Sequence, residues 1–173
     1  MTRIYTGKKV YPTAKVCPRT ELLMGEQTTI GDFSFICPRR LEMQNGSMIG
    51  RFVEVSGRGD VLLKEGAVVA SHASLLTSTD TTEGKMNDAS KDEERAVRTG
   101  NIALGEYSYV GQHATIMPGV NIGDWAVVGA YSYIDKDVPA RTIVRPRQDR
   151  VSKARILRKE RIIRTTSAGE EVL

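Results

Sequence analysis

The 173-residue sequence predicts an all-β chain wound into a three-sided parallel coil, on three observations. Aliphatic residues recur six apart without a slip at Leu104, Val110, Ile116, Ile122, Val128 and Ile134. Glycine follows four of these six, at Gly105, Gly111, Gly123 and Gly129. Two positions before each stands a small or short residue (Ser108, Ala114, Val120, Ala126, Ser132), with Ile102 the exception.

A helix would repeat its apolar residues at i and i+3 or i+4, and this segment does not. Ser108 and Val110, Ala114 and Ile116, and Ala126 and Val128 are two apart, so each pair faces one side of a strand. The glycines in the following turns are expected to take positive φ, which costs glycine little. A short strand and a turn every six residues put three repeats on each rung. Rungs then stack by parallel pairing and bury each aliphatic column only against their neighbours. An antiparallel sandwich would require the whole phased pattern to be accidental.

The ladder runs upstream with slips. It passes through Val10, Val16 and Leu22, then Ile30 with Gly31 and Ile36, then Ile49 and Val55, then Leu63, Val69 and Leu75. The slips imply small insertions near Gln27–Thr28, Glu42–Ser47 and Arg58–Asp60. The expected organisation is a coil over 1–140, about five or six rungs tall, and a basic, partly helical extension over 141–173. Between Thr81 and Asn101 the ladder stops, and charged and turn-forming residues such as Glu83, Gly84, Asn87, Asp88 and Glu93 take over. Long insertions in compact domains usually carry a function. If this inserted loop (81–101) leaves and returns at one corner, Leu104 lies beneath Leu63, Val110 beneath Val69 and Ile116 beneath Leu75. That register puts His72 and His113 at one corner of adjacent rungs, about 4.8 Å apart in backbone position, with Tyr131 continuing the column. The plain alternative makes them ordinary solvent-facing turn residues.

The net charge is +4, but its distribution is uneven. Arg141, Arg145, Arg147, Arg150, Lys153, Arg155, Arg158, Lys159, Arg161 and Arg164 crowd the last quarter, opposed there by Asp149 and Glu160. Such a segment suits phosphates, or forms a solvated helix that packs Val151, Ile156, Leu157 and Ile163 on the coil. It contains no aromatic residue between Val144 and Leu173, so nucleic-acid binding is not expected. No apolar stretch is long enough to insert stably in a membrane, and Met1 to Val10 lacks the apolar core of a signal peptide. The cytoplasm is the expected compartment. Cys17 and Cys37 have no metal-like spacing and read as reduced, buried thiols.

The run LGEYSYVGQHATIMPGVNIGDWAVVGAYSYIDKDVP, from Leu104 to Pro139, resembles the signature of the hexapeptide-repeat acyltransferases, and within them the galactoside, maltose and O-antigen acetyltransferase group. With the upstream repeats the resemblance covers Val10 to Pro139. It implies a left-handed parallel β-helix, a homotrimer, and acetyl-coenzyme A as acyl donor in the groove between subunits. The implied acceptor is a small polar molecule such as a sugar or nucleotide-sugar. By the same resemblance Gln112 and Ala130 stand where the pantetheine and diphosphate arm runs, and Lys136 where adenine and phosphates are met. Downstream the chain departs from the family's usual turn and reads Val144-Arg145-Pro146-Arg147-Gln148-Asp149-Arg150. Arg145, Arg147 and Arg150 still offer guanidinium forks that suit phosphate oxygens.

A second departure bears on the chemistry. Aligning Val69–Leu75 with the repeat that precedes the family's catalytic histidine puts Asp80 in the histidine's place. A sugar hydroxyl barely ionises near neutrality and gains from a general base. An amine is available as its free base and needs mainly orientation. The expected roles are therefore Asp80 as acceptor-orienting group or weak base, with His72 and His113 as alternative bases. The acceptor is an amino group or a hydroxyl, and no metal is expected. A carbonic anhydrase of the γ type shares the prism, but it needs three histidines around zinc and this chain has two. A non-catalytic scaffold is the remaining alternative.

Overall fold

The computed structural model describes residue 7, residues 9–84 and residues 95–146. Strands β1 (Lys9–Val10), β2 (Lys15–Val16) and β3 (Glu21–Met24) form the first rung, and β4 (Thr29–Ile30), β5 (Phe35–Cys37) and β6 (Arg40–Met43) the second. The third comprises β7 (Met48–Ile49), β8 (Glu54–Ser56) and β9 (Asp60–Leu63). In the fourth, β10 (Val68–Val69) and β11 (Ser74–Leu76) are followed by an excursion, β12 (Ser78–Asp80) and β13 (Val97–Thr99), before β14 (Ile102–Leu104) closes the turn. The fifth holds β15 (Tyr109–Val110), β16 (Thr115–Ile116) and β17 (Asn121–Ile122), and the sixth β18 (Val127–Val128) and β19 (Tyr133–Ile134). A seventh begins at β20 (Ile143–Val144), which pairs with β18, so the coil continues past residue 140. Among the described residues every regular element is a strand, and no helix is long and apolar enough to cross a membrane. The helix expected within 141–173 falls on residues outside the described ones.

Equivalent strands stack in parallel into three faces: a first face in the order β1-β4-β7-β10-β15-β18-β20, a second in the order β19-β16-β11-β8-β5-β2, and a third in the order β17-β14-β9-β6-β3. The expected parallel β-helix is what forms. The register across the excursion is the one the ladder implies: Leu63 pairs with Leu104, Val69 with Val110 and Leu75 with Ile116. Aliphatic columns fill the interior, and Ile30, Ile49, Val69, Val110 and Val128 are fully buried beneath the first face. Each such side chain gains about 1.5–3 kcal/mol from burial.

The phase slips fall partly where expected: two of the three spans reach a four-residue strand, at Glu42 in β6 and Asp60 in β9, while Gln27–Thr28 lies just beyond β3. The extra residues lie in the four-residue strands of the third face, not in turns. Leu41 with Met43, and Val61 with Leu63, each send two side chains inward where a two-residue strand sends one.

The phased glycines also need a different explanation. Gly105, Gly111, Gly123 and Gly129 do not take positive φ; the residues two further on do, at Tyr107, His113, Trp125 and Tyr131. Stacked turns pass too close for a side chain. A Cβ on Gly111 would stand 2.5 Å from the amide nitrogen of Ala130 on the next rung, and one on Gly31 would stand 2.7 Å from the carbonyl of Gly50. Steric contact between rungs, not backbone freedom, demands glycine there.

The cysteines are not free thiols. Cys17 and Cys37 are joined by a disulfide with their Cα atoms 5.0 Å apart. The cause is register: β2 pairs with β5 through Val16 and Ile36, so the residues that follow fall side by side on adjacent rungs.

Candidate active site

The corner between the first and second faces is built by one turn repeated down the coil. The third residue after each buried aliphatic takes positive φ: Phe33 at 58°, Phe52 at 54°, His72 at 62°, His113 at 57° and Tyr131 at 61°. That conformation costs a residue with a Cβ about 1–2 kcal/mol. Ring stacking offsets it. Successive centroids are 5.0, 4.9, 4.8 and 4.7 Å apart, with neighbouring planes 6° to 13° from parallel. The expected column of His72, His113 and Tyr131 is therefore the lower part of a five-ring ladder. Phe33 and Phe52 were legible by the same rule, each three after an isoleucine, Ile30 and Ile49. All five are exposed, so their edges face solvent while their faces are taken by neighbours.

Gln112 and Ala130 immediately precede His113 and Tyr131 at this corner, and the Gln112 carbonyl accepts the Tyr131 amide at 2.9 Å. Ala130 is exposed and its side chain ends at Cβ. Arg145 begins the next turn below, its Cα 3.6 Å from where a Cβ on Gly129 would lie. An exposed alanine beside a guanidinium is chemically suited to a polar, phosphate-bearing ligand. Arg147 and Arg150 lie outside the described residues.

Asp80 stands across the second face, at the corner toward the third. There the chain leaves the coil as an antiparallel arm in which Ser78 pairs with Thr99, Thr79 with Arg98 and Asp80 with Val97. Buried Thr77 anchors its mouth. Its hydroxyl donates to the Ser56 carbonyl at 2.8 Å and accepts the Gly59 amide at 3.0 Å, and its carbonyl accepts the Gly100 amide at 3.0 Å. Sequence reasoning missed Thr77, whose only signal is a polar residue directly after Leu75-Leu76. Across the arm, Arg95 grips both oxygens of Asp80, Nε to Oδ1 at 2.9 Å and Nη2 to Oδ2 at 2.8 Å. Hydrogen bonding to Arg95, its charge and the charge of Arg58 hold the Asp80 carboxyl below the usual carboxylate range. Arg98 on the arm donates to the Asp135 carbonyl at 3.5 Å, reaching the turn that also carries exposed Lys136.

The candidate residues thus fall into two groups on opposite edges of one face: His72, His113, Gln112, Ala130 and Arg145 on one, Asp80 and Lys136 on the other. Among the described residues no three His, Cys, Asp or Glu side chains are grouped to hold a metal ion.

Comparison with known proteins places this geometry. No family model matches the sequence. A segment of 47 residues is 45% identical to chloramphenicol acetyltransferase of Morganella morganii, covering 27% of this chain and 22% of that one. The bifunctional protein GlmU of Acinetobacter baylyi is 28% identical over 173 aligned positions, covering 93% of this chain and 34% of GlmU. The chain spans about a third or less of the length of these curated relatives. Among solved structures, AntD, an N-acyltransferase from Bacillus cereus in complex with dTDP and 3-hydroxybutyryl-CoA, superposes with a TM-score of 0.68 at 18% identity, covering 94% of this chain and 92% of AntD. A single-residue variant of AntD in complex with dTDP-4-amino-4,6-dideoxyglucose and coenzyme A superposes with a TM-score of 0.67 at 20% identity, covering 92% and 89%. At these identities the superpositions establish the fold. With the acetyltransferase match and the six-residue ladder, they bear out the chain's resemblance to the hexapeptide-repeat acyltransferases.

Proposed function

We propose that this chain is an acyl-coenzyme A-dependent acyltransferase that acetylates an amino group of a sugar or nucleotide-sugar and works as a cytoplasmic homotrimer, with the donor in a groove between subunits. One observation carries the reading. Nearly the whole coil superposes on an N-acyltransferase solved with both an acyl-coenzyme A and dTDP. The acetyltransferase sequence match supports it independently.

Bound in such a groove, acetyl-coenzyme A supplies an activated thioester. The chain's own contribution is to hold, orient and exchange a proton. Gln112, Ala130 and Arg145 would hold the donor at one corner, and Lys136 would contribute charge at the other. Asp80, clamped by Arg95 and held ionised, is a weak proton acceptor but a well-fixed anion. It suits orienting an acceptor amine that arrives as its free base. This favours an amine over a hydroxyl, which would call on His72 or His113 as base. Within one subunit the width of the second face separates Asp80 from the histidines, so a centre using both must form between subunits.

The test is release of coenzyme A thiol from acetyl-coenzyme A in the presence of nucleotide-linked amino sugars and their hydroxyl counterparts. Turnover with the amino sugar, reduced by Asp80→Ala and unchanged by His72→Ala and His113→Ala, supports the reading. Turnover confined to the hydroxyl acceptor and lost in a histidine variant moves the base to the ring ladder. Binding of neither donor nor acceptor favours a scaffold.

A further inference from the structure

We propose that the Cys17–Cys37 disulfide is a redox-sensitive clasp that locks the first rung of the coil onto the second. This inference stands on geometry alone and does not depend on the acyl-transfer reading.

The first rung is the open end of the described coil. Among the described residues β1, β2 and β3 are terminal strands of their three faces, each paired on one side. Burial reflects this: Val10 is 41% exposed and Val16 and Leu22 are partly exposed, whereas Ile30, Ile36 and Leu41, which occupy the same columns one rung on, are fully buried. In a solenoid each rung is held by its neighbours, so an end rung has about half the support of an interior one. β1 and β2 contribute two residues each to that support and β3 four. Apart from the backbone itself, the disulfide is the one covalent link among the described residues between this rung and the rest.

Its placement is selective. Pairing continues the cysteine column through Ser56 and Leu76, so the corner itself does not require cysteine. The two cysteines occupy the pair of rungs at the N-terminal end of the described coil. Just downstream of each lie the strands that line a cleft of about 620 Å³, with Leu22, Leu23 and Gly25 from the first rung and Arg40, Glu42 and Asn45 from the second. The clasp therefore lies just ahead of the paired strands β3 and β6 that line that cleft.

Opening needs a dithiol reductant, two electrons and two protons. A thiolate attacks one sulfur, a mixed disulfide forms, and the reductant's second thiol displaces it, leaving Cys17 and Cys37 as thiols and the reductant oxidised. Attack falls on Cys17, which is partly exposed, rather than on Cys37, which is buried.

Hydrogen exchange of the full chain, read by mass spectrometry with and without dithiothreitol, tests the proposal. Alkylation measured in parallel reports the thiols. Expected are no alkylation of the air-oxidised protein, two alkylations after reduction, and on reduction at least tenfold faster exchange over 9–24 with 102–134 unchanged. The Cys17→Ser and Cys37→Ser variants should show the reduced exchange pattern without reductant, with one alkylation each. Thiols that alkylate freely after treatment with oxidised glutathione, or a disulfide whose reduction leaves exchange over 9–24 unaltered or accelerates the whole chain equally, would overturn it.

Discussion

The imidazole of His72 lies parallel to that of His113 on the next rung, centroids 4.8 Å apart and planes 11° from parallel. The separation is the strand spacing itself, because both residues sit three positions past paired valines, Val69 and Val110. Phe52 covers the other face of His72, and Tyr131 the other face of His113.

Each ring trades backbone strain against stacking, which separates two substitutions. His113→Ala keeps the positive φ and loses both ring contacts, at about 0.5–1.5 kcal/mol per pair. His113→Gly loses the same contacts but relaxes the backbone by about 1 kcal/mol. Urea unfolding should rank wild type above His113→Gly, and His113→Gly above His113→Ala. A glycine variant less stable than the alanine one would refute the strain argument.

Close passage of stacked turns makes a second prediction. Gly111→Ala places a methyl 2.5 Å from the Ala130 amide nitrogen, where backbone rather than a movable side chain must yield. Overpacking of this kind costs about 1–3 kcal/mol, and thermal unfolding should fall accordingly. An unchanged midpoint would mean the turns can separate without loss.

The Asp80–Arg95 pair makes the third. Asp80 titrates lower in the folded chain than its ordinary value of about 3.9. Its stabilisation is therefore complete above that ordinary value and is lost as pH falls through the lower, folded one. The stability difference between wild type and Asp80→Asn should be constant near neutrality and shrink as pH falls below the ordinary carboxylate value of about 3.9. Both side chains are partly exposed, so the difference should also shrink in high salt. A difference independent of pH would mean the carboxylate is not held by charge.

Acceptor choice makes the fourth. If Asp80 orients an amine, Asp80→Asn should lower kcat/KM for an amino-sugar acceptor about 10²-fold or more, while the KM for acetyl-coenzyme A barely moves. An equal rise in the KM for the donor would place Asp80 in the donor groove instead.

Much of this was legible in the sequence because a solenoid converts spacing into contact. Leu63 over Leu104 and His72 over His113 follow from counting sixes across an insertion. Three things were not legible, for physical reasons. The glycine after Val110 looks like a turn glycine, and only the height of a rung reveals that its missing Cβ matters. Cys17 and Cys37 are 20 residues apart, and their pairing depends on the two-residue slip absorbed in β3. Asp80 was picked by alignment, but its fixed charge comes from Arg95 across the arm, a partner no local pattern indicates.

The central claim is that the coil's corner turns receive an acyl-coenzyme A thioester between subunits. A crystal structure of the chain with coenzyme A tests it most directly. The account predicts a trimer with one coenzyme A per groove, its arm along Gln112 and Ala130 and its thiol directed at the acceptor site beside Asp80 of one subunit. A monomer, or coenzyme A absent from that groove at millimolar concentration, would contradict it.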